Sequence, residues 1–245
     1  MMKIDVLTLF PDMFEAVLGD SVLGRARKNG FLELSFVNIR DYTLDKHGRV
    51  DDYPYGAGGG MVMAAEPVYR AYMSICEGLS YKPYVIYMSP QGKVFSQQTA
   101  RELAQKEHII ILCGHYEGVD ERVLELIVDE EVSIGDYVLT GGEIPAMAVI
   151  DATARMIPGV IKNGNSEEES HSDGLLEYPQ YTRPPVFMNK EVPPILLSGH
   201  DANIKKWRRE QSIIRTAKKR PDLLYKVKFE SKADIETLSK LEIEK

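Results

Sequence analysis

The run His108-Ile109-Ile110-Ile111-Leu112 most constrains the fold. It has no polar face, so a strand built from it must be covered on both sides. Such strands belong to parallel sheets, whose crossovers lay helices on each face. The segments around it fit that requirement. Lys3–Phe10, Phe31–Val37, Tyr84–Met88 and Val132–Ile134 read as further strands. Between them, helical periodicity is predicted from Pro11 to about Gly30, over Glu66–Cys76, from Ser96 to Lys106, over Glu121–Val128 and over Ile144–Met156. Strand alternating with helix defines an α/β domain with a mainly parallel sheet.

That sheet has a predictable place for function. Parallel sheets bind ligands beyond the carboxyl ends of their strands. The apolar run ends in Cys113-Gly114-His115-Tyr116-Glu117-Gly118-Val119-Asp120-Glu121-Arg122. A second Gly-rich turn follows at Gly135-Asp136-Tyr137-Val138-Leu139-Thr140-Gly141-Gly142-Glu143. Neither turn is a Gly-x-Gly-x-x-Gly dinucleotide fingerprint, and neither carries the Gly-Lys-Ser/Thr of a phosphate loop. Two glycine turns holding acids but no lysine predict a small ligand read by backbone groups, with Glu117 or Asp136 balancing a cationic centre. Tight turns with no ligand are the plainer reading of any one glycine alone.

Beyond about residue 160 the pattern changes. Lys162–Gly174 is polar, contains Glu167-Glu168-Glu169 and reads as a linker. After several prolines, helices are predicted over His200–Lys219 and Ser231–Leu241. The expected organisation is therefore an α/β domain over 1–160, a linker over 161–174 and a smaller, mostly helical domain over 175–245.

Charge divides along the same boundary. The whole chain carries a net charge of −7, residues 1–160 a net of −9 and residues 161–245 a net of +2. Lys205–Arg220 holds eight basic residues and one acid, a block able to meet phosphates in an otherwise acidic protein. No apolar run approaches the roughly 20 residues that span a bilayer. The amino terminus lacks signal-peptide anatomy, and two cysteines make no disulfide framework. These features predict a soluble cytoplasmic protein.

Several motifs in order resemble the bacterial tRNA (guanine-N1)-methyltransferase family, of the trefoil-knotted SPOUT superfamily. They are Pro54-Tyr55-Gly56 through Gly60-Met61, Ser89-Pro90-Gln91-Gly92, the two glycine turns, Arg155-Met156-Ile157-Pro158-Gly159, Ser172-Asp173-Gly174 through Pro184, and Trp207-Arg208-Arg209. The resemblance spans nearly the whole chain. It implies S-adenosylmethionine as methyl donor, a deep trefoil knot at the cofactor site, and a homodimer with sites built from both subunits. It also implies tRNA as substrate, with guanosine at positions 36 and 37, and methylation of guanosine 37. The implied cofactor wall is Pro90, Gly114, Tyr116, Glu117, Ile134, Gly135, Tyr137, Leu139, Gly141 and Gly142. His115 stands where many members of the family have Arg, and the glycines of Gly56–Gly60 are shuffled.

The chemistry narrows the remaining candidates. Guanine N1 carries a proton, so a base must stand near N1 and cationic donors near O6. The resemblance assigns the base to Asp173 and charge stabilisation to Arg155. Substrate contacts fall to Gly59 in the glycine loop, and to Lys205, Trp207, Arg208, Arg209, Arg215 and Lys218. The family also responds to Mg²⁺, for which no ligands stand out. The competing expectations are a knotted methyltransferase acting on another RNA position and a non-catalytic RNA-binding protein.

Overall fold

The computed structural model describes residues 1–56, 59–161, 170–171, 173–229 and 231–243. The chain forms two compact units, Met1–Lys162 and Asn163–Lys245. The first holds a five-stranded parallel sheet. Its chain order is β1 (Met2–Thr8), α1 (Asp12–Leu18), α2 (Ser21–Lys28), β2 (Leu32–Asn38), β3 (Asp51–Asp52), β4 (Val62–Met63), α3 (Ala65–Cys76), β5 (Tyr84–Val94), α4 (Gln97–Leu103), β6 (His108–Cys113), α5 (Glu121–Ile127), β7 (Glu130–Ser133) and α6 (Glu143–Ala154). The sheet order is β2-β1-β6-β5-β7, with every pairing parallel.

β6 lies at the centre and is buried from end to end, as its apolar run requires. Its side chains alternate between two cores. Ile109, Ile111 and Cys113 join Ile4, Val6, Ile86 and Met88 beneath residues of α1, α2, α4 and α6. Ile110 and Leu112 join Leu7, Val85 and Tyr87 against α3 and α5. Fully burying one such aliphatic side chain is worth about 1.5–3 kcal/mol, so this strand anchors both layers.

Two local expectations change. The helix expected from Pro11 to Gly30 is two helices, broken at Gly19-Asp20, where Asp20 is extended at φ −116° and ψ 178°. β5 does not stop at Met88. The Ser89-Pro90-Gln91-Gly92 segment is an irregularity in the strand, after which Lys93 and Val94 pair again with Val132 and Ser133 of β7. Past the glycine loop the chain pairs again. β4 pairs antiparallel with β3 and touches Val119 through a further bridge at Met63.

The second unit contains a short hairpin, β8 (Val186–Phe187) and β9 (Lys190–Glu191), then α7 (Asp201–Lys219), α8 (Pro221–Leu224) and α9 (Lys232–Ile243). Ser212, Ile213 and Thr216 form the buried stripe of α7, against which α8 and α9 pack. The linker residues 162–169, including Glu167-Glu168-Glu169, and Ser172 lie outside the described residues. Among the described residues no helix is long and apolar enough to cross a membrane.

Candidate active site

A cleft of about 390 Å³ opens at the irregularity within β5 and beyond the ends of β6 and β7. Pockets of roughly 300–1,000 Å³ hold drug-sized ligands. Its walls are the β5 irregularity from Tyr87 to Gln91, the turn Gly114–Val119, and the segments Val132–Gly135 and Tyr137–Gly142; Glu117 lines it, whereas Asp136 is exposed and not part of the lining. All ten residues expected at the cofactor wall line this one cleft. The strand ends assemble it because β6 and β5 are neighbours and β7 borders β5.

The two glycine turns touch. Gly142 donates its N–H to the carbonyl of Gly114 at 2.9 Å. A Cβ at Gly142 would lie 2.8 Å from Cys113 Cα and 3.0 Å from Gly114 N, so only glycine permits this approach. Gly118 takes φ +136°, a backbone state open to glycine. Part of the glycine signal therefore reports packing between turns as well as access for a ligand.

A buried network ties these turns to the sheet. Glu143, the first residue of α6, is 2% exposed. Thr8 Oγ1 at the end of β1 donates to Glu143 Oε1 at 2.7 Å, and His115 Nε2 lies 2.8 Å from Glu143 Oε2. The Phe10 ring packs on His115 at 4.9 Å between centroids. An acid here also sits well with the partial positive charge of the helix amino terminus. The departure at His115 thus has a dedicated partner. Thr8 and Glu143 are 135 residues apart, and no sequence spacing announces their contact.

The glycine loop reaches the same place. Glu117 N–H donates to Met61 O at 2.9 Å, and Met63 N–H to Gly118 O at 2.9 Å. A Cβ on Gly60 would meet the Glu117 side chain, with Glu117 Cγ 2.6 Å away. Gly59 is exposed, with open space around it, while Ala57 and Gly58 lie outside the described residues.

Burial sets the ionisation of two groups here. The Tyr87 hydroxyl is pushed up to about 12, mainly by burial. Burial, with Glu143 adding to it, holds the Cys113 thiol well above its ordinary value. Tyr87 therefore stays neutral in the cleft, and Cys113 is no nucleophile at neutral pH. Among the described residues no group of three His, Cys, Asp or Glu is placed to hold a metal ion.

Arg155 ends α6 in the first unit and is half-buried. Asp173 belongs to the second unit, where its own contacts fix it. Asp173 Oδ1 accepts the Leu175 N–H at 3.1 Å, and Oδ2 accepts Arg209 Nη1–H. Of the basic block, Lys205, Lys206, Lys218 and Lys219 are exposed on α7. Arg215 is half-buried. Trp207 packs on Tyr181 at 6.4 Å between ring centroids, and the Arg208 guanidinium lies 4.7 Å from the centre of the Tyr178 ring. Arg209 is half-buried and pairs with Asp173 and Asp234. Asp234 escapes a sequence reading because nothing marks one acid among the many near the carboxyl terminus.

A glycine-walled cleft at the carboxyl edge of a parallel sheet defines an α/β protein with room for a small organic ligand. The particular family follows from comparison with known proteins. The family description "tRNA (Guanine-1)-methyltransferase TrmD" matches residues 2–226, and the chain belongs to that family. Similar proteins include the tRNA (guanine-N(1)-)-methyltransferase of Ruminiclostridium cellulolyticum, 61% identical over 227 residues, covering 92% of this chain and 97% of that one. The protein of the same name from Moorella thermoacetica is 52% identical over 248 residues, covering 100% and 99%. That of Staphylococcus haemolyticus is 55% identical over 224 residues, covering 91% of each.

Proposed function

We propose that this chain methylates N1 of guanosine 37 in tRNA, using S-adenosylmethionine, as a homodimer with a trefoil knot at the cofactor site. The observation that carries the reading is the one cleft lined by all ten expected cofactor residues, in a chain whose family is described as tRNA (guanine-1)-methyltransferases. S-adenosylmethionine supplies an electrophilic methyl group on a sulfonium. The cleft fits such a ligand. Gly114, Gly141 and Gly142 let its wall close tightly on Tyr87, His115 and Cys113, where a Cβ would clash, Glu117 offers a carboxylate, and neutral Tyr87 presents a hydroxyl.

The protein's part in the chemistry is proton removal and charge stabilisation. Asp173 takes the N1 proton of guanine onto its carboxylate, which makes N1 nucleophilic. Its side chain is 52% exposed, so the carboxylate remains open to a base. Arg155 donates to O6 as negative charge grows there. The target base must leave its stack to be reached, and the exposed lysines of α7 hold the phosphates while it does. Exposed Phe10, Met13 and Val17 beside α1, with Ile144 on the adjoining α6, support pairing of two copies through this face.

The test is methyl transfer to unmodified tRNA transcripts with guanosine at 36 and 37, with mapping of the product. Asp173→Asn is expected to abolish nearly all transfer while cofactor binding persists. Full activity in that variant overturns the role of Asp173, and methyl on another nucleotide overturns the assigned position.

A further inference from the structure

Arg209 is held from two sides. Its Nη1–H donates to Asp173, while Nε and Nη2 face Asp234, with Nη2 2.9 Å from Asp234 Oδ2 and Nε 3.2 Å from the same oxygen. Burial of the guanidinium works against its charge, but Asp234 and Asp173 outweigh that and hold it above its ordinary value. Asp234 comes from α9, beyond residue 226, where the family match ends.

The placement of Asp234 is unusual for the helix that carries it. The residues of α9 turned inward recur at Asp234, Thr237, Leu238 and Leu241, a helical stripe. Asp234 is 7% exposed at the head of that stripe. An apolar residue there would pack at lower cost, because burying a carboxylate is expensive unless it is paired. Its pairing partner is Arg209.

The segment around Asp173 is moored to the same helix α7. Leu175 is 1% exposed, Leu176 N–H donates to Thr216 Oγ1 at 2.9 Å, and Thr216 is itself buried. A carboxylate has about four acceptor sites. The contacts with Leu175 and Arg209 occupy two and orient the rest.

We infer that Asp234 is a positioning residue for methyl transfer: it orients Arg209, and Arg209 fixes the carboxylate of Asp173. The inference rests on the reading of Asp173 as the base. It gives the carboxy-terminal helix a role in the reaction without contact with the guanine. It also moves Arg209 from phosphate contact to support of the base. The planar fork of arginine suits this task, since it serves two carboxylates from opposite edges and a lysine ammonium does not.

The experiment measures single-turnover methyl transfer at saturating tRNA and cofactor in the full-length protein. Asp234→Asn keeps the shape and removes the charge. Its rate is expected to fall by about 10- to 100-fold, the scale of a reacting group misplaced by an ångström. Cofactor Kd and the KM for tRNA stay within about twofold of the parent. Arg209→Lys is expected to show a similar loss. The double variant falls no further than the worse single, because the residues act as one unit. Asp234→Glu recovers most of the rate. A parental rate in Asp234→Asn, a loss confined to KM, or additive losses overturns the inference. If Asp234→Asn does not fold, Arg209→Lys decides, and a parental rate there overturns it equally. Asp173→Asn separates the two readings. If it is inactive while Asp234→Asn is fully active, only the positioning role fails. If Asp173→Asn is active, the base itself is misassigned and the inference falls with it.

Discussion

Gly142→Ala tests how tightly the two glycine turns must fit. Gly142 has φ −81° and ψ −6°, which any residue adopts, so the substitution brings no backbone strain. Its whole cost is steric. The new methyl would stand 2.8 Å from Cys113 Cα, 3.0 Å from Gly114 N and 3.1 Å from Cys113 Cβ. Ordinary carbon contacts lie near 3.5–4.0 Å, so the second turn must retreat by about 0.5–1 Å. The first turn cannot yield instead, because Cys113 ends the central strand and is fully buried. Overpacking of this kind costs about 1–3 kcal/mol. Loss of the 2.9 Å bond from Gly142 N–H to Gly114 O adds about 1 kcal/mol. The expected total is about 2–4 kcal/mol, or a fall in Tm of roughly 5–15 °C for a unit of this size. Because both turns line the cleft, cofactor affinity should fall at least about tenfold, one decade per 1.4 kcal/mol. Thermal unfolding and calorimetric titration with S-adenosylmethionine read both quantities. Gly59→Ala is the control, since nothing lies within 4 Å of that site. A Gly142→Ala protein with the parental Tm and parental affinity would refute the packing argument.

Three further outcomes are expected. Tyr84 and Tyr87 are both raised to about 12, chiefly by burial. The stability they contribute is complete below pH 10 and is lost as pH rises from 10 through 12, because the unfolded chain ionises first. Urea unfolding across that range should show the decline and should flatten in Tyr87→Phe; an unchanged slope counts against burial as the cause. Alkylation of the native protein at neutral pH should modify half-buried Cys76 and spare Cys113, and two equally reactive thiols would contradict the packing of β6. Replacing Lys205, Lys206 or Lys218 by Ala should each reduce the salt slope of tRNA binding by about 0.7–0.9, whereas Arg209→Lys should leave it unchanged. An unaltered slope in the three lysine variants removes α7 from the RNA footprint.

Much of the first unit was legible because its signals are local. The run Ile109–Leu112 has no polar face, and a central strand is the only element of its length that hides both sides. The glycine turns after β6 and β7 were legible for a similar reason, since parallel sheets place ligands at those ends. The break at Gly19-Asp20 and the resumption of β5 after Gly92 were not. Each depends on a neighbour: at the break Gly24 of α2 lies close against the Gly19 carbonyl, where a Cβ would clash, and Lys93-Val94 become strand because β7 lies alongside. Propensity ranks a segment alone, whereas pairing ranks it against what it meets.

The candidate site divides in the same way. Motif order alone picked out ten residues that line one cleft. It did not reveal Thr8 and His115 meeting on Glu143, Gly60 against Glu117, or Asp234 holding Arg209. Sequence by itself determined which residue types exist and which periods they follow, and those suffice for a two-faced parallel sheet with glycine turns at its edge. Only the tertiary structure decided which buried charges face one another. The cost of an unpaired buried charge is settled by a partner in space, and here that partner lies 135 residues away for Thr8 and Glu143 and 25 for Arg209 and Asp234.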